Sequence, residues 1–329
     1  MKKRALTGYR PTGYLHLGHY HGVLKKMLEL QDKYECFFFV ADWHALTTDY
    51  EDPKKIADYT KNLVLDWLAA GISPDKAVIY RQSDLPEVAV LALLFGMITP
   101  LGWLERNPTY KEQLRELKKR HLQTYGFIGY PVLQAADILI VLADIVPVGE
   151  DQVPHLELTR EIARRFNSLY GEYFPEPEAL LSKFPRVPGT DGRKMSKSYD
   201  NAIFLIDDFE TIRSKVANMF TDPRRIYRKD PGHPDECPVF ALHQFHTESS
   251  ELESIKQDCQ KALIGCKECK AKLAESIIDL LQPFQERRQA LLNQEGEIVE
   301  EILREGLKKV KPIAEKVIAD AEERMGLKK

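Results

Sequence analysis

Along the first half of the chain, short apolar runs alternate with longer stretches in which apolar positions recur every three or four residues. "RALTGY" (4–9) reads as a short strand. A Pro/Gly loop separates it from "GHYHGVLKKMLELQ", where Val23, Met27 and Leu30 fall at helical spacing. "CFFFVAD" (36–42) is a dense aromatic and β-branched run that suits a strand buried on both faces. "DPKKIADYTKNLVLDWLAAG" (52–71) opens on an Asp-Pro helix start and closes on a glycine stop. "AVIY" (77–80) supplies another strand, "PVLQAADILIVLA" (131–143) more helix, and "DIVPVG" (144–149) a later strand. This alternation predicts an α/β fold with an open parallel sheet wrapped by helices, in which ligands sit at the carboxyl ends of the strands.

After about residue 184 the texture changes. "FPRVPGTDGRKMSKSYDNAI" has the Pro, Gly and polar content of a mobile surface loop, and beyond it the chain reads almost entirely as helix. The predicted organisation is a catalytic domain over 1–183, a loop over 184–200 and a helical domain over 201–329. The most apolar run, "AVLALLFGMITPLGWL", is interrupted by Gly96, Pro100 and Gly102, so no membrane span is expected. No secretory signal follows "MKKRALTGYR", and a cytoplasmic enzyme is the expectation. A net charge of −3 argues against a protein that coats nucleic acid with its whole surface, so any such contact must use local patches. "KEQLRELKKRH" (111–121), "DPRRIYRKD" (222–230) and "EGLKKVKP" (305–312) are the basic stretches available.

Two stretches carry chemistry. In "YRPTGYLHLGHYHGVL" (9–24) a strand ends, a loop turns and a helix begins near Leu17. A helix N-terminus presents unpaired N–H groups that suit a phosphate. Gly18 leaves room for a flat base against the backbone, while His16 and His19 can donate hydrogen bonds towards one point. In "GRKMSKS" (192–198), Lys194 and Lys197 stand with Ser196 and Ser198 on a loop that could close over a polyphosphate and neutralise charge on leaving pyrophosphate.

This pair of motifs resembles the two signatures of class I aminoacyl-tRNA synthetases. "RPTGYLHLGHY", "ADWHALTT", "YPVLQAADIL", "VPVGEDQVPHLELTREIARRFN" and "GRKMSKSYDNAI" resemble, in order, stretches of the bacterial tryptophanyl-tRNA synthetase family, over essentially the whole chain. The resemblance implies a Rossmann-like parallel sheet with helices on both faces, followed by a mostly α-helical C-terminal domain on the anticodon side. It implies activation of tryptophan by ATP, with Mg²⁺ travelling on the nucleotide, and transfer to a tRNA by a homodimer. On that pattern His16, His19, Lys194 and Lys197 are catalytic. Arg10, Pro11, Thr12, Gly18, His19, Gly149, Glu150, Asp151, Val187, Lys194, Met195, Ser196, Lys197 and Ser198 surround ATP. Asp137 would accept the indole N–H, with Tyr130, Gln152, Gln134 and His44 around the amino acid. Gln134 stands where many members of the family carry Met. The set Tyr130, Gln134, Asp137 and Gln152 also resembles tyrosyl-tRNA synthetases, so tyrosine is the alternative amino acid, and a catalytically altered paralogue the alternative role.

Four of the five cysteines cluster as Cys237-x21-Cys259-x6-Cys266-x2-Cys269. An all-thiolate set suits a soft centre, either tetrahedral Zn²⁺ or an iron–sulfur cluster. Zinc sites usually show two short Cys pairs, and the single short pair here favours [4Fe–4S], with Zn²⁺ as the alternative. A subset of bacterial tryptophanyl-tRNA synthetases carries a similar motif and such a cluster. The long spacer here is one residue shorter than in that subset, within the predicted loop "FHTESSELES", where a deletion is readily tolerated.

Overall fold

The computed structural model describes residues 2–107, 124–149, 152–181, 186–294 and 297–328. Five strands form one parallel sheet: β1 (Arg4–Tyr9), β2 (Glu35–Val40), β3 (Ala77–Arg81), β4 (Ile145–Val148) and β5 (Glu178–Leu181), in the order β3-β2-β1-β4-β5. The order reverses between β1 and β4, so a crevice opens beyond their carboxyl ends, the usual ligand position in a doubly wound sheet. Phe37, Phe38 and Val40 of β2 are fully buried, as a central parallel strand requires. Gly8 in β1 has no room for a side chain, because a Cβ there would come within 2.3 Å of the Phe39 ring.

The helices follow the strands. Helix α1 begins at Leu17–His19, widens into a π-helical turn at Tyr20–Leu24 and continues as Lys25–Lys33. Then come α2 (Asp42–Asp49), α3 (Ile56–Ala70), α4 (Glu87–Ile98), α5 (Leu101–Glu105), α6 (Tyr125–Ile140) and α7 (Val153–Tyr170). The glycine stop expected for α3 is Gly71, in the left-handed region with φ 108°. Beyond the sheet lie α8 (Phe209–Ala217), α9 (Pro238–His246), α10 (Ser249–Gln260), α11 (Cys266–Leu292) and α12 (Ile298–Arg324). Among the described residues no helix is long and apolar enough to cross a membrane.

Contacts divide the chain into two compact units. One holds residues 1–13, 27–183 and 295–329; the other holds 14–26 and 184–294. The division is not contiguous in sequence, unlike the expected 1–183, 184–200 and 201–329. Helix α12, which reads as part of the helical second domain, packs in the first unit instead. Its Gly306 lies so close to β3 that a Cβ would meet the Ile79 carbonyl oxygen at 1.7 Å. Val310, Ala314, Val317 and Ala321 of α12 join Leu6, Phe37, Tyr80 and Phe166 in one core. Conversely, the segment with both signature histidines belongs to the second unit.

Candidate active site

In the first unit, the loops after β1 and β4 flank the crevice where the sheet order reverses. Arg10, Pro11 and Thr12 follow β1 directly, and Gly149 follows β4. Arg10 is held by α2: its guanidinium bonds to Thr48 and pairs with Asp49 at 3.8 Å, while the Thr48 hydroxyl donates to Asp49 at 2.7 Å. "ADWHALTTD" thus supplies the support for Arg10 as well as His44. Glu150 and Asp151 lie outside the described residues. So does the basic stretch 111–121.

Helix α6 carries Tyr130, Gln134 and Asp137, four and three residues apart and therefore on one face. Asp137 is 1% exposed. Its Oδ1 accepts from Gln82 Nε2 at 2.8 Å, and its Oδ2 lies 2.9 Å from the same amide nitrogen and 2.8 Å from His44 Nε2. Burial pushes the carboxyl pKa up, and the hydrogen bonds from His44 and Gln82 oppose that rise. Gln82 also accepts from the His44 backbone N–H at 3.4 Å, so one fully buried amide braces both residues. Tyr130 turns its hydroxyl to His155 Nε2 at 2.9 Å, and His155 Nδ1 lies 3.1 Å from Asn107 Nδ2. The Tyr130 and His44 rings meet edge to face at 6.4 Å. His44, Tyr130 and Asp137 are thereby brought together. Gln134 is half-buried on the same helix, and Gln152 caps α7, its N–H bonded to the Gly149 carbonyl at 3.0 Å. Gln82 and Asn107 lie in no motif and only tertiary packing reveals them; His155 lies in the quoted stretch "VPVGEDQVPHLELTREIARRFN" but is not singled out there.

In the second unit, His16 and His19 stack with ring centroids 3.6 Å apart. The His16 backbone N–H donates to His19 Nδ1 at 3.1 Å, which assigns the ring proton of a neutral His19 to Nε2. Burial first, then the charges of Lys197 and Lys194, lower the His16 pKa from 6.5 to about 4. His19 is likewise held well below its ordinary value, by burial, His16 and the same two lysines. Both imidazoles are therefore neutral at pH 7, so they offer hydrogen bonds and leave the positive charge to the lysines. The space at Gly18 is used by the protein itself, since a Cβ there would approach the His16 ring at 2.9 Å.

The loop with Lys194 and Lys197 is a tied hairpin. Met195 N–H donates to the Val187 carbonyl at 2.9 Å, and Val187 and Met195 are both buried. Asn201, 1% exposed, accepts from the Ser196 N–H at 2.8 Å and donates to Asp191 at 2.7 Å and to the Lys194 carbonyl at 3.2 Å. Ser196 and Ser198 hydroxyls bond to each other at 2.8 Å. Lys194 is exposed and Lys197 half-buried. A loop expected to be mobile from its composition is fixed internally by one asparagine.

The four clustered cysteines also lie in the second unit and line one cavity with Asp222, Arg225 and Phe240. Arg225 donates to Cys259 Sγ at 3.8 Å and to the Ile264 carbonyl at 2.8 Å, so part of the basic stretch 222–230 faces inward. Gly232 lets the chain pass Cys259, whose Sγ a Cβ would meet at 2.4 Å. Burial, then the other three thiols, push Cys269 up to about 12. Burial also raises Cys259, opposed by Arg225. Among the described residues no three His, Cys, Asp or Glu side chains are arranged around a single metal ion.

Residues 2–282 match the family model described as tRNA synthetases class I (W and Y). The chain belongs to that family. A tryptophan–tRNA ligase of Thermotoga maritima is 50% identical over 326 residues, covering 98% of this chain and 99% of that one. One of Aquifex aeolicus is 44% identical, covering 98% of this chain and all of its own. Among solved structures, tryptophanyl-tRNA synthetase from Campylobacter jejuni complexed with ADP and tryptophan is 34% identical with a TM-score of 0.91, over 98% of this chain and 100% of that one.

Proposed function

We infer that the chain is a tryptophan–tRNA ligase. The carboxylate of tryptophan attacks the α-phosphorus of ATP and expels pyrophosphate, and the resulting tryptophanyl-adenylate passes its acyl group to the 3′ end of the tRNA, releasing AMP. The observation that carries this reading is the convergence of His16, His19, Lys194 and Lys197 in one compact unit of a chain so similar, end to end, to tryptophan–tRNA ligases. Adenylate formation needs positioning and charge neutralisation rather than a covalent catalyst. Lys194 and Lys197 supply the cations, the neutral histidines supply hydrogen bonds, and Mg²⁺ accompanies the ATP. Arg10, Pro11, Thr12, Gly149 and Val187 would hold the nucleotide.

Asp137 would select the amino acid. A carboxylate offers about four lone-pair sites, and the contacts from Gln82 and His44 leave room for an indole N–H. A side chain without that donor would leave a buried carboxylate under-paired, the strong form of discrimination. Tyr130 and Gln152 would meet the ammonium and carboxylate. Tryptophan rather than tyrosine is favoured by the full-length likeness to tryptophan–tRNA ligases.

Cys237, Cys259, Cys266 and Cys269 would hold a [4Fe–4S] cluster. Four thiols line one cavity, and the spacing with a single short Cys pair is the ground for a multi-iron group over one zinc. Such a group would supply a rigid covalent cross-link among the helices on the anticodon side. By the family resemblance the assembly would be a homodimer, and the apolar stripe Val90, Leu93, Met97 and Leu101, exposed on α4 and α5, is the surface that would form its interface. Amino-acid-dependent ATP–pyrophosphate exchange tests the function. Exchange should require tryptophan, and exchange driven by tyrosine instead would overturn the assignment.

A further inference from the structure

Helix α9 touches three places that the chemistry treats separately. At its start, Cys237 occupies the N-cap position directly before Pro238, so the backbone of one of the four clustered cysteines leads into the helix. In the middle, His243 bonds to the Cys269 carbonyl at 3.1 Å and lies 3.5 Å from its Sγ, which ties the helix to a second thiol. Beside Cys237, Pro238 packs against the signature loop at Gly192. A Cβ on Gly192 would reach Pro238 Cγ at 2.8 Å, and Gly192 also has φ +83°, so glycine is needed there twice over. At the last turn, the His246 and His21 rings stand edge to face at 4.7 Å, with Phe245 at 5.3 Å from His21.

His21 sits two residues beyond His19, in the π-helical turn of α1. Such turns cost regular hydrogen bonding and gather at functional positions. The His21–His246 contact is not explained by polar pairing. His21 Nε2 and both ring nitrogens of His246 are buried and have no hydrogen-bond partner among the described residues. An aliphatic pair would pack there without leaving buried polar atoms unpaired.

We propose that α9 positions the two nucleotide signatures relative to each other, with His246 and Pro238 as its positioning residues, and that it transmits the state of the four-thiol site to adenylate formation. The inference rests on the synthetase reading of "HLGH" and "KMSKS". The partners differ at each contact, but the element is one rigid helix of nine residues. A shift at Cys237 therefore moves Pro238 against the loop and His246 against the helix of His16 and His19. The thiol site, which takes no part in the reaction itself, thereby acquires a hold on the rate.

The test is a double-mutant cycle read by tryptophan-dependent pyrophosphate exchange, with kcat and the KM for ATP resolved and a thermal midpoint taken for each protein. His246→Leu should lower kcat by about tenfold to a hundredfold, as small displacements of catalytic groups do, with the midpoint unchanged or raised. A merely structural role predicts the reverse, a lower midpoint with kcat intact. Cys237→Ser should lower kcat too, and in the double variant the two losses should fail to multiply, because both act through one helix. Wild-type kcat in His246→Leu, or fully multiplicative losses, would overturn the proposal.

A second measurement needs no cysteine variant. Hydrogen exchange of the amides at 17–24 is compared before and after anaerobic loading with iron and sulfide, in wild type and His246→Leu. Loading should protect this segment in wild type only. Equal protection in both proteins, or none in a protein that takes up iron and sulfide, would also overturn the coupling. If no iron and sulfide are taken up, the cluster reading fails alone, and the substitution cycle decides the coupling without it.

Discussion

Replacing Asp137 by asparagine keeps the shape of its side chain but places a donor where His44 and Gln82 already donate. Tryptophan-dependent pyrophosphate exchange should then fall in kcat/KM by roughly a hundredfold, the scale of one lost hydrogen bond to a charged group with its neighbours left mispaired. Lys194→Ala and Lys197→Ala should each lower kcat by about 10²–10³, since each cation acts on charge that develops as pyrophosphate leaves. The buried histidines also make stability depend on pH. His16 and His21 titrate near 6.5 when unfolded and are lowered to about 4 by burial and nearby lysines. The unfolded chain therefore binds more protons between those values. Stability should be full above pH 6.5 and decline as the pH falls towards 4, by on the order of 3 kcal/mol for each histidine, and urea unfolding at several pH values measures it. A flat profile over that window would contradict the burial of these rings. His16, His19, Lys194, Lys197 and Asp137 were all legible in the sequence, because each lies in a local motif. Gln82 was not, since "YRQSDLPEV" has no pattern of its own and the amide matters only where β3 ends beside α2 and α6.

Gly306 shows the same limit among elements. The pattern of "EIVEEILREGLKKVKP" predicts a helix, and α12 is one, but the residue that decides its place is a glycine within it. Gly306→Ala would drive a methyl group into the Ile79 carbonyl and push α12 off β3. The expected cost is about 1–3 kcal/mol, read as a lower thermal midpoint. An unchanged midpoint would mean that the helix does not depend on this close approach. Strands β1 to β3 were readable because buried parallel strands are dense in β-branched and aromatic residues. β5 was not, because "EALL" is a partly exposed edge strand with little strand propensity, and only its pairing with β4 defines it. Asn201→Ala would leave the Ser196 N–H without its acceptor and free the loop that holds both lysines. kcat should drop while the fold survives.

For the whole molecule, the two units explain why a linear reading divides the chain differently from its contacts. The Pro/Gly-rich texture near 184 marks a change of unit, but the chain crosses between units near residues 13, 26 and 295 as well, and at the last of these the sequence on both sides reads as helix, so nothing in its pattern signals the change of unit. The apolar stripe Val90, Leu93, Met97 and Leu101 predicts a dimer, so Met97→Glu should yield monomers in sedimentation equilibrium, with unfolding little changed. A monomeric wild-type protein would remove that surface from the account. The central claim is the proposed activity, tryptophanyl-adenylate formation that depends on the signature histidines and lysines and on Asp137. ATP–pyrophosphate exchange measured in parallel with tryptophan and with tyrosine tests it most directly. The account predicts exchange with tryptophan, abolished or nearly so in Lys194→Ala and strongly reduced in Asp137→Asn. Exchange that requires tyrosine, or that persists unchanged in both variants, would contradict it.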